Sequence, residues 1–130
     1  SLHSNKSAVR GGLMIRFVIE QKMPTLNEYT LACRGNKYTG AKFKKDTENT
    51  IGWYIIKARI PKVERAVTIH FEWHEKTKRR DADNIASAKK FILDALVKQG
   101  VLIDDSRRYV TGFTDTIVDD TRDFVVVTIE

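Results

Sequence analysis

The feature that most constrains this chain is an apolar periodic run with acids at both ends. Lys78-Arg79-Arg80-Asp81-Ala82-Asp83-Asn84 leads into a stretch where Ile85, Ala88, Ile92 and Leu96 recur at helical spacing, and Gly100 stops it before Val101-Leu102-Ile103-Asp104-Asp105. The pattern predicts one helix over residues 84–99, with Asp83 as its cap. Such a helix has roughly 16 residues and spans roughly 24 Å, so the acids at its two ends meet only if the chain beyond Gly100 runs back alongside it. A fold that brings Asp105 beside Asp81 and Asp83 is therefore a specific expectation.

The remaining segments supply a scaffold for that helix. At 130 residues and 14.9 kDa the chain is expected to form one domain. Ser1 to Leu13 is small, polar and without periodicity, which predicts a leader outside the fold and a domain over residues 14–130. Met14 to Glu20 alternates as a strand, Pro24 and Asn27 mark a loop, and Thr39 is a plausible cap for a helix over residues 40–58 that Pro61 ends. Ala66 to Trp73 alternates cleanly, placing Val67, Ile69, Phe71 and Trp73 on one face. Tyr109 to Ile117 and Phe124 to Ile129 are expected as two strands of a closing hairpin. The fold class is α+β, in the order β-α-β-α-β-β, with a small mixed or antiparallel sheet of about four strands and two main helices.

Charge narrows the partners. The formal net charge of +6 and pI near 9.5 suit a polyanion such as nucleic acid. Arg34, Lys37, Lys42, Lys44 and Lys45 are interleaved with Tyr29, Tyr38 and Phe43, so bases could stack on rings while cations meet phosphate. The same pattern also fits the solvated face of a helix. The single cysteine, Cys33, cannot form an intrachain disulfide, and no apolar run approaches the roughly 18 residues of a membrane span. An intracellular, cytoplasmic protein with no membrane partner is expected. His70 and His74, on a strand and the loop after it, lack the companions of a metal site and are read as non-ligands.

The acids have a sharper reading. Two or three aspartates in a cleft suit a hard divalent cation such as Mg²⁺, and Asp81 and Asp83 would project to one side of an extended segment. A calcium loop is excluded because Ile85 and Ala86 stand where an oxygen ligand and a glycine are required. The plain alternative is that Asp83 caps a helix, Asp81 is a turn acid, and Asp104 and Asp105 begin a loop.

The run from Arg79 to Ile85, followed by Phe91, Asp94-Ala95-Leu96, Gly100 and Asp104-Asp105, resembles the RusA family of Holliday-junction resolvases. The resemblance implies a crossover junction endodeoxyribonuclease, a small α+β homodimer that nicks four-way DNA junctions symmetrically. It implies Mg²⁺ as cofactor, with Mn²⁺ able to substitute, and a family often carried by phages and prophages. Carried over by position, Asp81, Asp83 and Asp105 are its catalytic, metal-binding carboxylates, and Asp104 is an additional acid. The family's functional lysine falls on Ser87 counted forward from Asn84 and on Lys90 counted back from Asp94, with Lys89 as the neighbouring alternative. Lys78, Arg79 and Arg80 would hold the DNA backbone over the acids. The competing reading is a non-enzymatic basic DNA-binding module.

Overall fold

The computed structural model describes the backbone of residues 5–9 and 12–13, and backbone and side chains from residue 14 to residue 130. Its elements follow the chain as β1 (Asn5–Val9), β2 (Gly12–Ile19), α1 (Leu26–Gly35), α2 (Lys37–Lys57), β3 (Val67–Glu75), α3 (Ala82–Ala86), α4 (Lys89–Lys98), β4 (Val110–Asp119) and β5 (Phe124–Ile129). The sheet is mixed, in the order β1-β2-β5-β3-β4, with β3 and β4 parallel and every other pair antiparallel. The α+β class and the order of the main elements agree with the sequence reading. The sheet begins before Met14, because Asn5–Val9, within the expected leader, pairs with β2.

Register explains the core. Ile15, Ile129 and Ile69 lie side by side in one row, Phe17, Val127 and Phe71 in the next, and Ile19, Val125 and Trp73 in a third. All nine side chains are at most 3% exposed, forming an apolar face against which Ile51 and Ile55 of α2 and Ile92 and Leu96 of α4 pack. Val18 and Val126 pair on the opposite face and are buried as well.

That two-sided burial overturns the expected closing hairpin. Strand β5 is apolar on both faces and sits between β2 and β3, whereas β4 is largely exposed and occupies the edge. The four residues between β4 and β5 cross the end of β3, where Asp120 donates its backbone N–H to the Glu75 carbonyl (3.0 Å). The sequence located both strands, but strand order was decided by which one could tolerate water on its faces.

The helices are also cut differently from the sequence expectation. Leu26–Gly35 forms a helix where a loop was expected, and α2 starts at Lys37 rather than at residue 40 because Asn36, not Thr39, is its cap: the Asn36 side chain accepts from the Thr39 backbone N–H (2.8 Å). Helices α1 and α2 pack so closely that a Cβ on Gly40 would stand 3.1 Å from the Cys33 Cα, so that crossing requires glycine. The single helix expected over residues 84–99 is two, α3 and α4. Between them the Ser87 hydroxyl donates to the Asn84 carbonyl (2.6 Å) and accepts from the backbone N–H of Leu26 (3.0 Å). A serine bonded back to the preceding turn loosens a helix where a neighbouring chain can use its oxygen. Gly100, at φ 76°, ends α4 as its position predicts.

Candidate functional site

The acid-bearing block starts where β3 leaves the sheet. Glu75 closes β3 on the apolar face and is only 6% exposed, so its charge needs a partner. Arg80 provides it, with Nε 3.0 Å from Oε1 and Nη2 donating to Oε2 (3.4 Å), while Nη1 donates to the Met23 carbonyl (3.1 Å). Burial nevertheless outweighs the arginine and raises the Glu75 carboxyl above the ordinary glutamate range. Arg80 is therefore a tether between the end of β3 and the loop at Met23. Its neighbours Lys78 and Arg79 are exposed, with Lys78 3.6 Å from Asp119.

Asp81 and Asp83 follow directly, both exposed. Asp81 is the N-cap of α3 but makes no side-chain capping bond, and Asp83 lies in its first turn. The extended geometry expected over both residues holds for Asp81, whose backbone is extended (φ −75°, ψ 149°), whereas Asp83 already lies within the helical turn. The expectation that Asp83 caps the following helix is corrected as well.

At the other end Val101 and Leu102 return to the core, and Val63 donates its N–H to the Val101 carbonyl (2.7 Å). Asp104 accepts from the backbone N–H of Ser106 (2.8 Å), and hydrogen bonding to Ser106 lowers its pKa below the ordinary range. It is a turn acid. Asp105 instead accepts from Lys90 Nζ (2.7 Å), which also lies 3.0 Å from Asp94. Hydrogen bonds to Asp105 and then to Asp94 raise the Lys90 pKa, so it stays protonated.

The two candidate lysines are thereby separated. Lys90 joins the acid at the far end of α4. Lys89 forms an ion pair with Asp115 of β4, lies over the rings of Phe113 and Phe71 (5.2 and 5.8 Å to the centroids), and is committed to the sheet. Asp115 also accepts from the indole N–H of the buried Trp73 (2.9 Å).

The basic helices border this block. Lys44 of α2 reaches Asp94 (3.5 Å) and Glu48 (3.8 Å), which gives a continuous chain Lys44, Asp94, Lys90, Asp105. Lys42 pairs with Asp46 (2.6 Å), and Arg34, Lys37 and Lys45 are exposed. The rings expected to stack bases divide: Tyr29 and Phe43 pack against Phe91 (centroids 5.5 and 6.3 Å), while Tyr38 remains 75% exposed.

Hard oxygen donors match Mg²⁺ in chemistry, but among the described residues no three His, Cys, Asp or Glu side chains are grouped to hold a metal ion. Asp81, Asp83 and Asp105 as placed do not fit one shared cation, and Asp105 is neutralised by a lysine instead. Sequence reasoning missed Glu75 and Asp115. Both were accessible to it by parity, since the alternation of β3 extends to Glu75, and Asp115 lies beside Phe71 on the apolar face.

Among the described residues no helix is long and apolar enough to cross a membrane. A comparison with curated proteins returns no match. The family described as endodeoxyribonuclease RusA matches residues 3–130, essentially end to end and across the whole acid-bearing block, and the chain belongs to that family.

Proposed function

We propose that this protein is a structure-selective endodeoxyribonuclease that resolves four-way DNA junctions by paired, symmetric nicks. The full-length match to the RusA family carries this reading. The basic face of α2, which meets α4 through Lys44 and Asp94, supports it as a surface for the DNA backbone. In this reading Asp81, Asp83 and Asp105 are the essential carboxylates and Lys90 is the functional lysine. Lys78, Arg79, Arg34, Lys37 and Lys45 contact phosphate, and the enzyme acts inside the cell as a homodimer because two opposed cuts need two sites. The cofactor is Mg²⁺, replaceable by Mn²⁺, which when bound neutralises phosphoryl charge and activates water. Holding it requires Asp105 to leave Lys90 and join the other two acids.

The test is cleavage of a synthetic four-way junction, followed on gels with and without Mg²⁺. Asp81→Asn and Asp105→Asn are each expected to lower the rate by at least about 100-fold, a barrier change of about 2.7 kcal/mol. Metal-independent cutting, or undiminished cutting by both variants, overturns the assignment. The scattered placement of the three aspartates favours a second reading, a DNA-binding module without nuclease activity. It predicts salt-sensitive junction binding and no nicking in any divalent metal.

A further inference from the structure

Beside the candidate site, where α1 and α2 meet the break between α3 and α4, lies a cavity of about 190 Å³. It is lined by Leu26 and Tyr29 of α1, Lys44 of α2, Ser87 at the break, and Lys90 and Phe91 of α4. The apolar part is largely aromatic: Tyr29 and Phe91 meet edge to face at 5.5 Å, and Phe43 packs against both (5.9 and 6.3 Å between centroids). Leu26 adds an aliphatic wall that is 55% exposed. The polar groups are few. The Ser87 hydroxyl already donates to Asn84 and accepts from Leu26, whereas Lys44 and Lys90 carry ammonium groups that both lie near Asp94 (3.5 and 3.0 Å). A ring-lined hollow with cations beside it suits a flat heteroaromatic group joined to phosphate. Its size selects further, because pockets for drug-sized ligands begin at about 300 Å³, and this one has room for a single base rather than a base pair.

We propose that this cavity receives one nucleobase of the bound DNA, turned out of the stack, with its ring against Tyr29 and Phe91 and its phosphate on Lys90 and Lys44. The inference rests on the proposed function for its ligand and deepens it by naming a source of structural selectivity. Turning a base out costs least where pairing and stacking are already interrupted, as at the crossover of a four-way junction, so such a pocket favours branched over linear DNA. Charge links the cavity to the acids. Asp105 must leave Lys90 to join Asp81 and Asp83, and the phosphate of a seated base is the anion that takes its place on the ammonium.

Synthetic four-way junctions carrying one abasic residue at successive positions around the crossover test it, with affinity read by gel shift in the absence of divalent metal. At one position per cut strand, loss of the base is expected to weaken wild-type binding at least about fivefold. Tyr29→Ala should bind the intact junction correspondingly less well and be indifferent to the missing base, whereas Tyr29→Phe, which keeps the ring, should behave as wild type. Circular dichroism checks folding, and if Tyr29→Ala fails to fold, Leu26→Glu at its exposed position decides by the same loss of base dependence. The inference is overturned if no position matters to wild type, or if the folded variants keep the full dependence on the base. Cleavage of intact junctions in Mg²⁺, scored in parallel, separates the two proposals. Base dependence that Tyr29→Ala abolishes, without any cutting, sinks the nuclease reading only. Cutting without base dependence sinks the cavity only, and a protein that binds no junction sinks both.

Discussion

Arg80 and Lys90 stand near opposite ends of the acid-bearing block and hold carboxylates in opposite ways. Arg80 is sunk against the sheet, its side chain 11% exposed, and grips a glutamate that has almost no access to water. Lys90 is 64% exposed and bridges two aspartates on the surface. The first arrangement fixes where the chain leaves β3, and so where Asp81 and Asp83 begin. The second can be rearranged cheaply, because solvent screens each contact. One half of the candidate site is built into the fold, and the other is held by contacts that a ligand could replace.

Removing Arg80 tests the fixed half and should have the largest effect on stability. Arg80→Ala leaves Glu75 buried without its counter-charge, which costs about 3 kcal/mol, read as a lower urea midpoint at pH 7. Burial already raises the Glu75 pKa, so between its unfolded and folded values the native state binds more protons than the unfolded one. Glu75 therefore contributes stability when protonated and loses it as pH rises through the folded value. Without Arg80 that loss should deepen, so the variant falls furthest behind wild type on the alkaline side of the window. An equal deficit at every pH would mean that Arg80 acts by packing alone.

Asp115→Ala probes the lysine that the sheet has captured. It strips the Trp73 indole N–H of its acceptor and Lys89 of its counter-ion, with an expected loss of about 1 to 3 kcal/mol. Lys89→Met keeps the indole bond and should cost less. Equal losses in the two variants would show that the ion pair, not the tryptophan, sets the value of Asp115.

How much of this was legible in the sequence depends on range. The strand Val67 to Trp73, the stop at Gly100 and the candidate acids were visible because period and punctuation are local. The placement of β5 between β2 and β3 was not, since it follows from competition among strands for a position buried on both faces. The break at Ser87 was also hidden, because it depends on Leu26, 61 residues away in sequence, offering a backbone N–H to the serine. Asp83 lost its expected role as cap because the helix begins at Ala82, which makes Asp81 the N-cap.

Lys90→Ala tests the rearrangeable half and should barely change stability, by less than about 1 kcal/mol, because its ion pairs are exposed. Junction cleavage should fall far more than stability does. A loss of stability comparable to that of Arg80→Ala would erase the contrast between the two ends.

The smallest effect should come from Asp120, which joins the loop after β4 to the anchored end of β3. The backbone N–H of Thr121 (2.6 Å) and then His74 Nδ1 (2.8 Å) hold its carboxylate below the ordinary aspartate range. A depressed pKa means that the unfolded state binds more protons between the two values, so Asp120 stabilises above the unfolded value and loses that contribution as pH falls through the folded one. Melting temperatures of wild type and Asp120→Ala should therefore differ near pH 7 and converge as the solution becomes acidic. His74 also meets Glu72 through Nε2 (3.0 Å) and stacks on Phe124 (4.0 Å between centroids), so the ring keeps its place when Asp120 is lost. If the gap persists in acid, the loop is held by its backbone contact to Glu75, and the anchored region owes its rigidity to the Glu75 to Arg80 pair and the sheet rather than to the charges around it.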